Sequence, residues 1–168
     1  MRKVILITGG QRSGKSSYAE QLAHTLTDAP VYMATAKIWD EEFRKRVERH
    51  QQNRGPEWTN IEEEKYLSRH DVSGRVVVVD CLTLWCTNFF TEYNEVQPAL
   101  DAAKKEFDRL IAQDATFIFI TNEIGMGGVS SNQVQRRFTD LQGWMNQYVA
   151  SKADEVLLMV SGIPVKIK

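Results

Sequence analysis

Residues Gly9-Gly10-Gln11-Arg12-Ser13-Gly14-Lys15-Ser16 fit the pattern G-x-x-x-x-G-K-[ST]. They follow Lys3-Val4-Ile5-Leu6-Ile7-Thr8, a short apolar and β-branched run that reads as a buried strand. They precede Ser17-Tyr18-Ala19-Glu20-Gln21-Leu22-Ala23, whose apolar residues keep helical spacing through Leu26. Strand, glycine-rich loop and helix, in that order, make a phosphate cradle. The glycines let backbone N–H groups turn inward, and the helix start adds the positive end of its dipole. Gly9, Gly10, Gln11, Arg12, Ser13, Gly14, Lys15 and Ser16 are therefore expected to hold nucleotide phosphates. Lys15 would reach the β- and γ-phosphates, and the Ser16 hydroxyl would bind Mg²⁺.

A second stretch supports this reading. Val76-Val77-Val78-Val79-Asp80 is apolar without alternation, as in a strand of a parallel sheet buried on both faces. An acid at the end of such a strand sits at the carboxyl edge of the sheet, where Asp80 can hold Mg²⁺ directly or through water. Further short apolar runs lie at Val31-Tyr32-Met33, 115–121 and 155–160. Helical patterns separate them, at 40–54, 97–113 and 132–153, and Val165–Lys168 reads as a short last strand. Strands alternating with helices predict an α/β fold with a mainly parallel sheet. Ligands bind such sheets outside the carboxyl ends of the strands. That edge gathers the phosphate loop, Ala34-Thr35-Ala36, Asp80 and a loop at 122–128 that is expected to be flexible. The run from Cys81 to Phe90 reads either as a buried helix or as a subunit contact. Leu82, Leu84, Trp85, Phe89 and Phe90 are too apolar to face water together, so part of the run is expected between subunits.

The 168 residues suit one domain with a substantial core, and the net charge of −1 gives no reason to expect a nucleic-acid partner. Cys81 and Cys86 read as free thiols, because a lone C-x₄-C lacks the other ligands of a zinc site. The first apolar run is too short for a signal peptide or a membrane span, so a cytoplasmic protein is expected. A regulatory GTPase would carry [NT]-K-x-D for the base, which is absent. Asp71-Val72-Ser73-Gly74 matches D-x-x-G but precedes the Asp80 strand and reads as a turn. A small phosphotransferase fits best. A regulatory or binding module on the same loop is the alternative.

The chain resembles the bifunctional adenosylcobinamide kinase and adenosylcobinamide-phosphate guanylyltransferase family of cobalamin biosynthesis. The resemblance runs nearly end to end. It rests on 7–16, Tyr32-Met33-Ala34-Thr35-Ala36, Arg46-Val47-Glu48-Arg49-His50, Trp58, Glu62, 121–127 and 160–168. It implies a RecA-like P-loop core assembled as a homotrimer. It implies phosphorylation of adenosylcobinamide by ATP or GTP, then transfer of GMP from GTP to adenosylcobinamide phosphate through a histidine-bound GMP. Ala34, Thr35, Ala36, Gln51, Gln52, Asn53, Arg54, Glu62 and Asp80 would join the phosphate loop in binding nucleotide, with Mg²⁺ at Ser16 and Asp80. The chain departs from the family pattern where Arg54 is followed by Gly55 before Pro56, and where Ala36 stands in place of a serine.

Three histidines compete for the covalent role. Phe43, Val47 and His50 share one stripe of a helix, flanked by Arg46 and Arg54, so His50 is expected to face the body of the protein among cations. Those cations would lower its pKa and favour the neutral ring. His24 falls off its helix stripe and reads as solvated. His70 reads as a loop residue. By residue type alone an inward histidine is more often a core group. The family match makes His50 the expected nucleophile, while Lys15, which holds the triphosphate, is the other expected catalytic residue.

Overall fold

Parity along the central strands decides which side chain serves which face. The computed structural model describes residues 2–168, apart from the side chains of Arg46, His50 and Asn53. It contains seven strands: β1 (Lys3–Gly9), β2 (Val31–Ala34), β3 (Thr59–Glu62), β4 (Val76–Asp80), β5 (Thr116–Ile120), β6 (Glu155–Val160) and β7 (Ile163–Lys166). Five helices connect them: α1 (Lys15–Leu26), α2 (Glu41–Asn53), α3 (Leu82–Tyr93), α4 (Val96–Ile111) and α5 (Gln133–Lys152). The sheet order is β3-β2-β4-β5-β1-β6-β7. Every pairing is parallel except that of β7, which returns antiparallel on β6.

Alternate residues of each strand point to opposite faces. Val4, Leu6, Val77, Val79, Phe117 and Phe119 face a core closed by α3, α4 and α5. Ile5, Ile7, Tyr32, Val78, Ile118 and Ile120 face the other side, where Ala19 and Ala23 of α1 pack with Trp58. Strands buried on both faces explain the unbroken valines of β4. The predicted stripe of α4 is buried in full at Leu100, Ala103, Phe107, Leu110 and Ile111.

Of the two readings of the run after Asp80, the buried helix is the one the chain adopts. Leu82, Trp85, Phe89 and Phe90 of α3 are buried within the chain, and only Leu84 of the five is exposed. Four of them therefore need no partner subunit to cover them. The start of the loop at 122–128 is anchored on β1, and a 3₁₀ turn follows at Ile124–Gly127, exposed from Gly125 on. The Glu123 amide donates to the Gly9 carbonyl at 3.1 Å, and the Thr8 hydroxyl donates to Glu123 Oε1 at 2.8 Å. The short Asp71–Gly74 segment is a turn as expected, closed by the Ser73 amide on Asp71 Oδ1 and by a left-handed Gly74.

Candidate active site

The β1–α1 loop is shaped by two backbone positions and a neighbouring turn. Gly14 takes φ +93° at the start of α1, and a Cβ there would lie 3.1 Å from Gly162 Cα. The amide of Gly162, in the β6–β7 turn, donates to the Ser13 carbonyl at 2.9 Å. The turn at Ser161–Gly162 is thus part of the phosphate loop's support. Gly9, at the end of β1, has no room for a side chain, because a Cβ would meet Ser13 Oγ at 2.7 Å. Gly10, Gln11 and Arg12 are exposed on the loop, while Ser13 is buried beneath it.

Lys15 is buried, and its ammonium donates to the Gly10 carbonyl at 2.5 Å. Burial lowers its pKa, partly offset by the nearby Cys81 and Asp80. At the end of β4, Asp80 Oδ2 accepts from the Ser16 hydroxyl at 2.9 Å and from the Tyr32 phenol at 2.5 Å. β5 lies between β1 and β4, so the loop and the acid converge from strands that are not neighbours. Asp80 and Ser16 bring one carboxylate and one hydroxyl together. Mg²⁺ suits such hard oxygen donors, because it takes few protein ligands and completes its shell with phosphate oxygens and water. No larger cluster of His, Cys, Asp or Glu with metal-binding geometry occurs among the described residues.

A cleft of about 320 Å³ opens over this arrangement. α1, β2 and β4 line it with Ser16, Glu20, Tyr32, Ala34 and Asp80. Ala36 and Leu84 add to that side, and α2 closes over it with Phe43 and Val47. Arg12 and Arg54 bring positive charge to the same space. Asp40 caps the start of α2 by accepting the Phe43 amide at 2.7 Å, and Glu41 and Glu42 in the first turn suit the helix dipole. His50 lies on α2, seven residues on from Phe43; its side chain, like those of Arg46 and Asn53, lies outside the described residues.

The remaining expected site residues fall into two groups. Gln51 donates to Glu62 Oε1 at 2.5 Å, which joins the end of α2 to β3. Gln52 is exposed on α2. Arg54 is buried, its guanidinium 3.6 Å above the Tyr32 ring, donating to Asn60 Oδ1 at 3.0 Å. Thr35 has a different task from the one expected. It is fully buried, its hydroxyl donates to the Cys81 carbonyl at 2.8 Å, and it accepts the Cys81 amide at 2.9 Å. Those bonds fix the β4–α3 junction and leave the Thr35 hydroxyl no surface for a nucleotide. The Cys81 thiol is also no nucleophile, because burial pushes its pKa up to about 12.

The other two histidines have local partners. His24 is exposed, but it is not simply solvated: its Nε2 accepts from the Trp58 indole at 3.1 Å. His70 Nε2 lies 3.5 Å from Glu63 Oε2, next to the turn at Asp71. Tyr32 is the site residue that sequence spacing missed. An aromatic hydroxyl on a buried parallel strand was the available signal, since such a group needs an acceptor.

The loop, the strand-end acid and the order of the parallel sheet define a P-loop nucleotide-binding α/β protein. Solved structures bear out the fold. The flagellar accessory protein FlaH from Methanocaldococcus jannaschii superposes with a TM-score of 0.51 at 13% identity, over 99% of this chain and 78% of that one. An ATPase of the type III secretion system of pathogenic bacteria superposes with a TM-score of 0.59 at 11% identity, over 93% and 50%. Sequence narrows the class. The model of the cobinamide kinase / cobinamide phosphate guanyltransferase family matches residues 5–167, and the chain belongs to that family. The bifunctional adenosylcobalamin biosynthesis protein CobU of Escherichia coli (strain K12) is 38% identical over 98% of this chain and 99% of its own length. The protein of the same name from Salmonella typhimurium is 37% identical over the same shares. The bifunctional CobP of Pseudomonas aeruginosa is 35% identical over 97% and 96%.

Proposed function

We propose that the chain catalyses two successive transfers in cobalamin biosynthesis. In the first, the hydroxyl of adenosylcobinamide attacks the γ-phosphorus of ATP or GTP, and the nucleoside diphosphate leaves. In the second, a ring nitrogen of His50 attacks the α-phosphorus of GTP and pyrophosphate leaves. A phosphate oxygen of adenosylcobinamide phosphate then attacks the histidine-bound GMP. The N–P bond breaks, and adenosylcobinamide-GDP forms.

The observation that carries this reading is the construction of the cleft. One side carries Ser16 and Asp80, with Lys15 buried beside them under the phosphate loop, and the other is α2, which bears His50 and lines the cleft with Phe43 and Val47. Lys15 and the loop amides would hold the triphosphate and offset its charge. Ser16 and Asp80 would hold Mg²⁺, which when bound neutralises charge on the phosphates. Arg12 and Arg54 add cations where the phosphates change partners. Gln51, Gln52, Asn53, Arg54 and Glu62 are assigned to the guanine nucleotide, with Ala34 and Ala36 as cleft wall. A cytoplasmic homotrimer belongs to the same proposal. Among the described residues no helix is long and apolar enough to cross a membrane.

The test is incubation of the protein with adenosylcobinamide and labelled GTP, followed by identification of the products. Adenosylcobinamide phosphate and adenosylcobinamide-GDP are both expected. Release of inorganic phosphate with neither product would instead make the chain a simple nucleotide hydrolase.

A further inference from the structure

Among the described residues, both hydrogen bonds received by the Asp80 carboxylate fall on one oxygen, and the shorter comes from Tyr32. The register of the sheet explains how it arrives there. Ala34 of β2 pairs with Asp80 of β4, and Tyr32 pairs with Val78. Tyr32 therefore stands on the same face as Asp80, one pleat back, and its ring spans the diagonal to the carboxylate. The ring is closely held. Trp58 meets it edge-on, with centroids 5.9 Å apart at 76°. The Arg54 guanidinium covers its face, itself held by Asn60 and by Glu20 at 3.7 Å. A phenol held on two sides has one place to put its proton, and that place is the carboxylate assigned to the metal.

We propose that Tyr32 is a positioning residue for the metal carboxylate. Its phenol sets the orientation in which Asp80 meets a divalent cation bound to nucleotide, and Arg54 on its ring ties that setting to the end of α2. The proposal rests on the reading of Asp80 as a metal ligand. Outer-shell donors of this kind typically change metal affinity by about 10–100-fold.

The test compares wild type, Tyr32→Phe and Asp80→Asn by the free-Mn²⁺ paramagnetic resonance signal, titrated in the presence of GTP. GTP binding in EDTA and thermal unfolding are followed alongside. Tyr32→Phe is expected to weaken Mn²⁺ binding to the GTP complex by about tenfold. Its GTP affinity in EDTA and its melting point should stay near wild type, and the Mg²⁺ needed for half-maximal kinase turnover should rise. Wild-type Mn²⁺ affinity in Tyr32→Phe, with Asp80→Asn weakened, overturns the role of Tyr32 and leaves Asp80 as the ligand. Wild-type affinity in both variants overturns the metal reading itself. If Tyr32→Phe does not fold, Trp58→Phe loosens the edge contact on the ring while keeping the phenol and every residue assigned to the nucleotide. It is expected to shift Mn²⁺ affinity the same way by a smaller factor, and an unchanged affinity there overturns the proposal.

Discussion

The phosphate side of the cleft and the helix that faces it are held by different means. Val4 to Ile7 of β1 and Val77 to Val79 of β4 are almost wholly buried, with helices packed on both faces of the sheet. The loop and Asp80 therefore start from strand ends fixed by the core. Among the described residues of α2 none is buried; Phe43, Val47 and Gln51 are half-covered and the others are exposed. Among the described residues its ties include the Asp40 cap, the Gln51–Glu62 hydrogen bond and Arg54 on Tyr32. Stabilisation scales with apolar area removed from water, so α2 belongs to the low-stability part of the fold. A rigid phosphate site opposite a weakly held helix suits the two proposed transfers, in which the reacting phosphorus changes from γ to α and α2 brings the proposed nucleophile.

Four perturbations would break or sharpen this contrast. The largest effect is expected at Lys15. Lys15→Ala should lower both kinase and guanylyl transfer by about 10³-fold, because it removes a cation aimed at the phosphates. Near wild-type turnover in either assay would detach that activity from the loop. Core stability comes next. Trp85→Ala, at a fully buried position in α3, should cost about 3–5 kcal/mol in urea unfolding. Phe43→Ala on α2 should cost under about 1.5 kcal/mol, since its ring is only half-covered. Equal costs would remove the contrast.

Hydrogen exchange reads the same difference without mutation. Amides of α2 should exchange more than about tenfold faster than those of β1 and β4. The smallest effect is expected at the far end of β1. The Lys3 ammonium lies 2.7 Å from Glu155 and, outweighing a small burial cost, holds its carboxyl below the usual range. A lowered folded value adds stability that is present above pH 4.5 and lost as pH falls through it. Lys3→Ala should therefore lose less than about 1 kcal/mol at neutral pH, and the difference should vanish in acid, as suits a partly exposed pair.

Much of this architecture could be read from local spacing. The phosphate loop, the valine strand ending in Asp80 and the stripe of α4 each carry their own period or motif within a few residues. What spacing did not reveal depends on contacts across the chain. Tyr32 meets Asp80 only because β2 and β4 are neighbours in a particular register. Thr35 is drawn to Cys81 by the same pairing and so is lost to the nucleotide. The α3 run was too apolar for a loop, but sequence alone could not say whether its cover came from the same chain. In the structure α3 packs with α4 and α5. His24 read as solvated because its partner, Trp58, approaches from a separate segment.

The proposed guanylyl transfer turns on a covalent bond between His50 and GMP, and one labelling experiment addresses it directly. The protein is incubated with GTP labelled at the α- or the γ-phosphate, denatured, and exposed to acid or base. A histidine phosphoramidate survives base and breaks in acid, because the protonated ring nitrogen leaves readily. The prediction is base-stable, acid-labile label from α-labelled GTP and none from γ-labelled GTP. His50→Ala should lose that label while keeping a substantial part of the kinase activity, which needs no protein nucleophile. His24→Ala and His70→Ala should label normally. Acid-labile GMP on the His50→Ala protein would place the nucleophile elsewhere and contradict the account.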